Sequence, residues 1–351
     1  LAKLKKNHII ETQSPAGFNP RNINSRELTQ NKLIPIKAQN PGIELDHGLI
    51  GEIQANPTAI IHRTTTLKNR RSVKSHWQTA WLLKAITLMD LTTLAGDDTS
   101  GRVTRLATKA QNSVSMEILQ MLKVEELNVQ VGAVCVYHEM IAPALDALKG
   151  SSIPVAAVST GFPAGLTPFD LRLAEIRESI SRGAREIDVV ISRRHVLTEN
   201  WEELYNEIKL FKEACNPAKL KVILATGELA ILRNIGKASM VAMMAGADFI
   251  KTSTGKEPIN ATLPASLVMV RAIRSYFQLT GNRVGFKPAG GISKAKESLQ
   301  YLMLIKEELG TEWLTPGLFR FGASSLLNDI ERQLEHQATG RYSTSYRHPQ
   351  G

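Results

Sequence analysis

The chain has 351 residues, of which 43% are hydrophobic and 22% charged, and a formal net charge of +10. This composition suits a globular protein with one large domain or two small ones. No apolar run is long enough to span a bilayer, and the two cysteines, Cys135 and Cys215, provide neither a disulfide framework nor zinc-ligand spacing. A reducing, cytoplasmic setting is expected.

Residues 1–43 are rich in Asn, Pro, Gln and Ser and show no sustained periodicity, which predicts a disordered extension. They lack the apolar core of a signal peptide, and Glu11 with the missing apolar stripe argues against a mitochondrial transit segment. Residues 44–84 hold helical patterns such as "SVKSHWQTAWLLKAI" and are expected to pack as a helical segment on the main domain. Part of this region, residues 61–76, carries Arg63, Lys68, Arg70, Arg71 and Lys74 and no acidic residue. Such a segment can touch RNA or an anionic surface. No aromatic or Gly-rich RNA-binding signature accompanies it, so a solvated helix face or linker is the simpler expectation.

From residue 85 to 338 short β-branched or apolar runs alternate with longer amphipathic stretches. The strand candidates are 85–92, 132–137, 155–160, 186–192, 221–226, 249–254, 283–289 and 319–323. Continuous apolar strands separated by helices indicate parallel sheet. Eight such units in about 250 residues fit a (β/α)8 TIM barrel. A doubly wound open sheet is the runner-up, disfavoured because no G-x-G-x-x-G follows the first strand. Residues 339–351 read as a C-terminal tail.

In a barrel of this kind the reacting groups lie at the C-terminal ends of the strands. The polar residues found there are Asp90 and Thr92, Cys135, Asp188 in "EIDVV", Lys251 in "FIKTST" and Lys287 in "GFKPAGG". Strand alternation places Ser253 on the face of Lys251 and Gly285 on the face of Lys287, where the missing side chain leaves room. A lysine inside an apolar strand can snorkel to water, but two lysines and two aspartates on strands of one barrel point to an active site. A lysine amine attacks a carbonyl only when neutral, and its unperturbed pKa of about 10.4 leaves little free base. Burial and a second cation both lower that value. One lysine can thus act as nucleophile while the other tunes it, with Asp188 positioning a water or hydroxyl for proton transfer. No metal or cofactor is expected, and no H-E-x-x-H or comparable ligand cluster occurs.

"STGKE" suggests a P-loop, but Ile250 stands where the first glycine belongs and Glu257 follows Lys256 in place of Ser or Thr. Phosphate-binding features are better placed in "AGGIS" (289–293) and "GASSL" (322–326), after the seventh and eighth strands, where barrels bind phosphate. Glycines admit backbone N–H groups, Ser324 and Ser325 offer hydroxyls at a helix start, and Lys256 adds charge.

Taken in order, "MDLTTL", "AVCVY", "EIDVV", "FIKTSTGK", "GFKPAGGI" and "FGASSLL" resemble deoxyribose-phosphate aldolase over roughly residues 44–342, most closely its animal members. The resemblance implies reversible cleavage of 2-deoxy-D-ribose 5-phosphate into glyceraldehyde 3-phosphate and acetaldehyde, in deoxyribonucleoside catabolism. It implies that Lys251 forms the Schiff base, that Lys287 depresses its pKa and joins a proton relay, and that Asp188 is the catalytic aspartate. Asp90 and Thr92 match contacts to substrate hydroxyls, and Cys135 matches a cysteine near the site. Lys256, Gly290, Gly291, Gly322, Ser324 and Ser325 match the substrate's phosphate end, and Thr254 is expected among the substrate contacts. Ser293 departs from the family, which often has Arg there, and Tyr346 is not assigned the role that a C-terminal tyrosine has in some bacterial members. A sugar phosphate is the expected partner, and barrels of this kind often form homodimers. Two other readings stay open: a Schiff-base aldolase for a different sugar phosphate, and a binding protein that uses residues 61–76.

Overall fold

A computed structural model describes residues 40–69, 76–344 and 346–348. The eight apolar runs become parallel strands β1 (Met89–Thr92), β2 (Ala133–Tyr137), β3 (Val155–Ser159), β4 (Glu186–Val190), β5 (Lys219–Ile223), β6 (Phe249–Lys251), β7 (Gly285–Lys287) and β8 (Phe321–Ala323). Their spatial order is β7-β6-β5-β4-β3-β2-β1-β8, and every neighbouring pair is parallel. The β7–β8 seam is held by isolated bridges, Phe286 to Phe319 and Ala289 to Gly322, so the ring is nearly closed. This is the expected TIM barrel with helices between the strands; the open doubly wound sheet is ruled out.

Strand alternation explains the layering. On β4, Ile187 and Val189 pack outward into the core beneath the helices, while Val190 joins a separate apolar cluster inside the barrel with Cys135, Val158 and Ile223. The helices form where an apolar stripe meets a start signal. In helix Trp201–Cys215 the Asn200 side chain accepts from the Glu203 amide, Glu202 and Glu203 occupy the first turn, and Leu204, Ile208 and Phe211 face the core. Helix Leu263–Thr280 starts at Thr262, which accepts from the Ala265 amide, and stops at Gly281 in the left-handed region.

One interior glycine differs from its expected use. A methyl group on Gly285 would lie 2.4 Å from the Phe249 ring, so the room it leaves is filled by that ring and not by Lys287. Close approach of β7 and β8 relies on Gly322, where an added Cβ would sit 2.7 Å from the Ala289 Cβ and 3.2 Å from the Lys287 Cε. Gly285→Ala is therefore expected to destabilise the barrel by about 1–3 kcal/mol, because the ring is enclosed and cannot retreat. Thermal unfolding checks this; an unchanged midpoint would mean that the Phe249 ring can retreat.

The helical segment that precedes the barrel packs on its flank. Helix Pro57–Asn69 lies against helices Leu263–Thr280 and Ala295–Leu309, and helix His76–Thr87 lies against Ala295–Leu309 and Leu326–Thr339. Arg63, from the basic stretch, is engaged with Glu307 at 2.6 Å, and Lys68 is exposed. Arg70, Arg71 and Lys74 lie outside the described residues, as do residues 1–39 of the expected extension. The last residues of the expected extension, from Asn40 on, make contacts with the barrel. Asn40 is buried and donates to the carbonyls of Met243 (2.8 Å) and Ala247 (3.0 Å), while its amide donates to Asp248 (2.8 Å). In the C-terminal tail, Asn328 donates to the His348 carbonyl at 2.6 Å, and the Tyr346 side chain is 80% exposed.

Candidate active site

Parallel register sets the site. Lys251 and Lys287 are direct partners across β6 and β7, and Asp188 faces Lys221 across β4 and β5. Neighbouring strands lie about 4.8 Å apart, so these inward side chains meet. Lys251 Nζ donates to Asp188 Oδ2 at 2.7 Å, and Lys287 Nζ donates to the same oxygen at 2.8 Å and to Asp90 Oδ2 at 2.5 Å. Lys221 Nζ lies 2.8 Å from Asp90, 2.5 Å from Glu186 and 3.5 Å from Asp188 Oδ1. Arg320 donates to Asp90 Oδ1, and to Glu186 at 3.0 Å. All seven side chains are buried.

The electrostatics distinguish the lysines. Burial disfavours the Lys251 ammonium; Asp188 opposes this, Lys287 adds to it, and the net result is a pKa below the ordinary lysine value. Burial acts on Lys287 as well, but Asp188 and Asp90 outweigh it and hold the group protonated, above its ordinary value. Burial raises Asp188, yet Lys221, Lys251 and Lys287 together hold it well below the usual carboxylate range. Burial pushes the Cys135 thiol up, despite the pull of Lys287, so it stays a neutral thiol on the apolar wall.

Among the buried polar atoms that make no hydrogen bond are Asp188 Oδ1 and Ser253 Oγ, the latter two residues beyond Lys251 and past the end of β6. Buried polar atoms are normally satisfied, so an unsatisfied pair beside a lysine of lowered pKa suits a polar ligand. Such a ligand would meet charge on one side and, on the other, the apolar surface of Cys135, Val158, Val190 and Ile223.

The loops at the C-terminal ends form a second, more open region. The Thr252 hydroxyl accepts from the Ala289 amide at 3.0 Å and donates to its carbonyl at 3.2 Å, stapling the end of β6 to the end of β7. Thr254 donates through its hydroxyl to Glu257 at 2.8 Å, and its amide donates to the same carboxylate. That turn leads to Gly255 (φ 88°) and exposed Lys256. Gly290 (φ 81°) and Gly291 (φ 80°) follow β7, and Gly255 lies next to Gly290. Left-handed backbone at these three positions favours glycine. Ser324 and Ser325 are exposed and precede helix Leu326–Thr339.

The structure thus brings Asp90, Cys135, Asp188, Lys251 and Lys287 together in the interior. It puts Lys256, Gly290, Gly291, Ser324 and Ser325 on the loops after β6, β7 and β8. Thr92 is half-buried at the end of β1, and its hydroxyl donates to the Asp90 carbonyl at 2.7 Å. Thr254 is engaged with Glu257 and shapes the turn. Gly322 lies within β8, where an added Cβ would meet Ala289 and Lys287, and its carbonyl accepts from the Gly290 amide. Sequence reasoning passed over Glu186, Lys221 and Arg320. Each is a charge inside a strand candidate, the signal that picks out Lys251, but each stands at or next to the first residue of its candidate run, where charges usually flank; Lys221 in fact lies in the middle of β5.

A family model described as DeoC/LacD family aldolase matches residues 84–332. The deoxyribose-phosphate aldolase of Mus musculus is 58% identical over 304 residues, covering 86% of this chain and 96% of the relative. The enzyme of that name from Homo sapiens is 56% identical over 310 residues, covering 88% and 98%. Among solved structures, one from Toxoplasma gondii superposes with a TM-score of 0.63 at 21% identity, covering 75% of this chain and 96% of that one. The deoxyribose phosphate aldolase from Aeropyrum pernix superposes with a TM-score of 0.51 at 20% identity, covering 77% and 100%. At those identities the structures attest the fold alone.

Proposed function

The chain belongs to the DeoC/LacD family of aldolases, and on that premise we propose that it cleaves 2-deoxy-D-ribose 5-phosphate reversibly through a Schiff base on Lys251. The products are D-glyceraldehyde 3-phosphate and acetaldehyde. The observation that carries the assignment to Lys251 is its position: a buried amine of lowered pKa that shares one carboxylate oxygen with a second, firmly protonated lysine.

The neutral Lys251 amine attacks the substrate's C1 aldehyde, and the carbinolamine loses water to form an iminium. Proton removal from the C3 hydroxyl breaks the C2–C3 bond. The bonding pair moves into the iminium as an enamine, and C3 leaves as the aldehyde of glyceraldehyde 3-phosphate. Protonation at C2 and hydrolysis then release acetaldehyde and restore the amine. Asp188, ionised and with one oxygen free of hydrogen bonds, is suited to accept a proton through water. Lys287 is suited to donate one, and its fixed charge disfavours protonation of Lys251. The loops that carry Lys256, Gly290, Gly291, Ser324 and Ser325 receive the phosphate, with backbone amides and a helix start as donors.

No described helix is long and apolar enough to cross a membrane. Cys135 and Cys215 are both free and buried, in keeping with a cytoplasmic setting. Reduction with borohydride in the presence of acetaldehyde, followed by peptide mapping, tests the proposal. A two-carbon adduct is expected on the peptide containing Lys251. An adduct on another lysine, or none at all, would overturn the assignment.

A further inference from the structure

Among the described residues, the charged interior holds four cations, Lys221, Lys251, Lys287 and Arg320, against three carboxylates, Asp90, Glu186 and Asp188. None of the seven side chains is more than 4% exposed. Unpaired charge in such an enclosure is costly, so one cation is surplus. Arg320 cannot shed its proton. Lys221 touches all three carboxylates, and Lys287 touches two. Lys251 touches one, at an oxygen that Lys287 already occupies.

We infer that Arg320, which touches no reacting atom, is a charge-setting positioning residue: by engaging Asp90 and Glu186 it makes Lys251 the cation with least carboxylate support, the one that gives up its proton. The inference rests on Lys251 being the Schiff-base amine. The nucleophile is selected from the lower layer of the barrel interior, through the ion-pair network of Glu186, Lys221 and Asp90. The directions of titration agree, with Lys251 lowered while Lys221 and Lys287 are raised. The surroundings do not upset the balance. Strand β3 contributes Ala156 and Val158 to the interior, and Cys135 on β2 is held neutral by burial. Lys219, lower on β5 and half-buried, is a further cation that acts on Glu186 and Arg320, and it is common to the parent and every variant below, so the sign of each shift is unchanged.

The test is the rate of acetaldehyde trapping by cyanoborohydride as a function of pH, measured on the full chain. In Arg320→Met three cations face three carboxylates, so Lys251 keeps its proton. The trapping midpoint is expected to rise by about one pH unit, with trapping at neutral pH slowed about tenfold and recovered at alkaline pH. Arg320→Lys keeps the count and is expected to keep the parent midpoint. Glu186→Gln leaves four cations against two carboxylates and is expected to shift the midpoint downward. A merely structural role would not produce shifts of opposite sign. Unchanged midpoints, or shifts in the same direction, overturn the inference. If R320M does not fold, E186Q decides, and a midpoint at or above the parent's overturns it. Failure to trap the parent on Lys251 would count instead against the proposed function.

Discussion

Lys251→Met is expected to lower kcat/KM for deoxyribose 5-phosphate by about 10⁴-fold or more, and to abolish reductive labelling with acetaldehyde, while the protein stays folded. Both halves of that result matter. Lys251 is the least supported cation of the interior, since its ammonium holds one contact, to Asp188 Oδ2. Its lowered pKa says that burial outweighs that contact. A methionine of similar length fills the space without the desolvated charge, and Asp188 keeps Lys287 and Lys221. Thermal unfolding of the variant should therefore start no lower than that of the parent. A variant that loses activity together with its fold would recast Lys251 as a structural residue, and one that keeps labelling would move the chemistry elsewhere.

The opposite balance is expected for Lys287→Leu. This lysine is supported by Asp90 at 2.5 Å and Asp188 at 2.8 Å, and its pKa is raised. Removing one partner of a buried ion pair costs about 3–5 kcal/mol because the other is left uncompensated. A raised lysine pKa contributes stability that is full below about 10.4 and fades as the pH rises through the folded value, so the loss is present at neutral pH. The two carboxylates give a second signature. Burial raises Asp90 and Asp188, but nearby cations hold both below their ordinary values. The stability this confers is present above about pH 4 and is lost as the pH falls through the folded values. Without Lys287 the folded values move back up, so acid unfolding should begin at a higher pH. Catalysis should fall by about 10²–10³-fold, through loss of the proton donor and a reprotonated Lys251. Denaturant unfolding at two pH values and steady-state rates measure these effects. A variant of parental stability and rate would remove Lys287 from the account.

Much of this site was legible because a charge inside an apolar strand is expensive and marks itself. Lys251, Lys287, Asp188 and Asp90 stood out for that reason, and the strand–helix rhythm supplied the ring on which they converge. Arg320, Glu186 and Lys221 obey the same logic but occupy the lower layer, where a charge at the start of a strand looks like an ordinary flank. Their importance depends on ring closure, which brings β8 beside β1 and Arg320 onto Asp90. No local pattern encodes that pairing. Gly285 shows the same limit: its face was readable from alternation, but not that the Phe249 ring fills the room. Asn40 stands in a polar stretch with no periodicity, and only the distant Met243, Ala247 and Asp248 give it a place.

The staple between Thr252 and Ala289 has a further consequence for selectivity. Lys251 and Lys256 are five positions apart in the chain, and the span between them is held by Thr252 on Ala289 and by Thr254 on Glu257. On the proposed function, with the carbonyl at Lys251 and the phosphate near Lys256, these two contacts hold the main chain that separates the two ends of the substrate. A sugar phosphate one carbon shorter or longer is then expected to seat less well at both ends, whatever its hydroxyl pattern. Discrimination by length would then be a property of the main chain, built in ahead of any contact with the sugar itself.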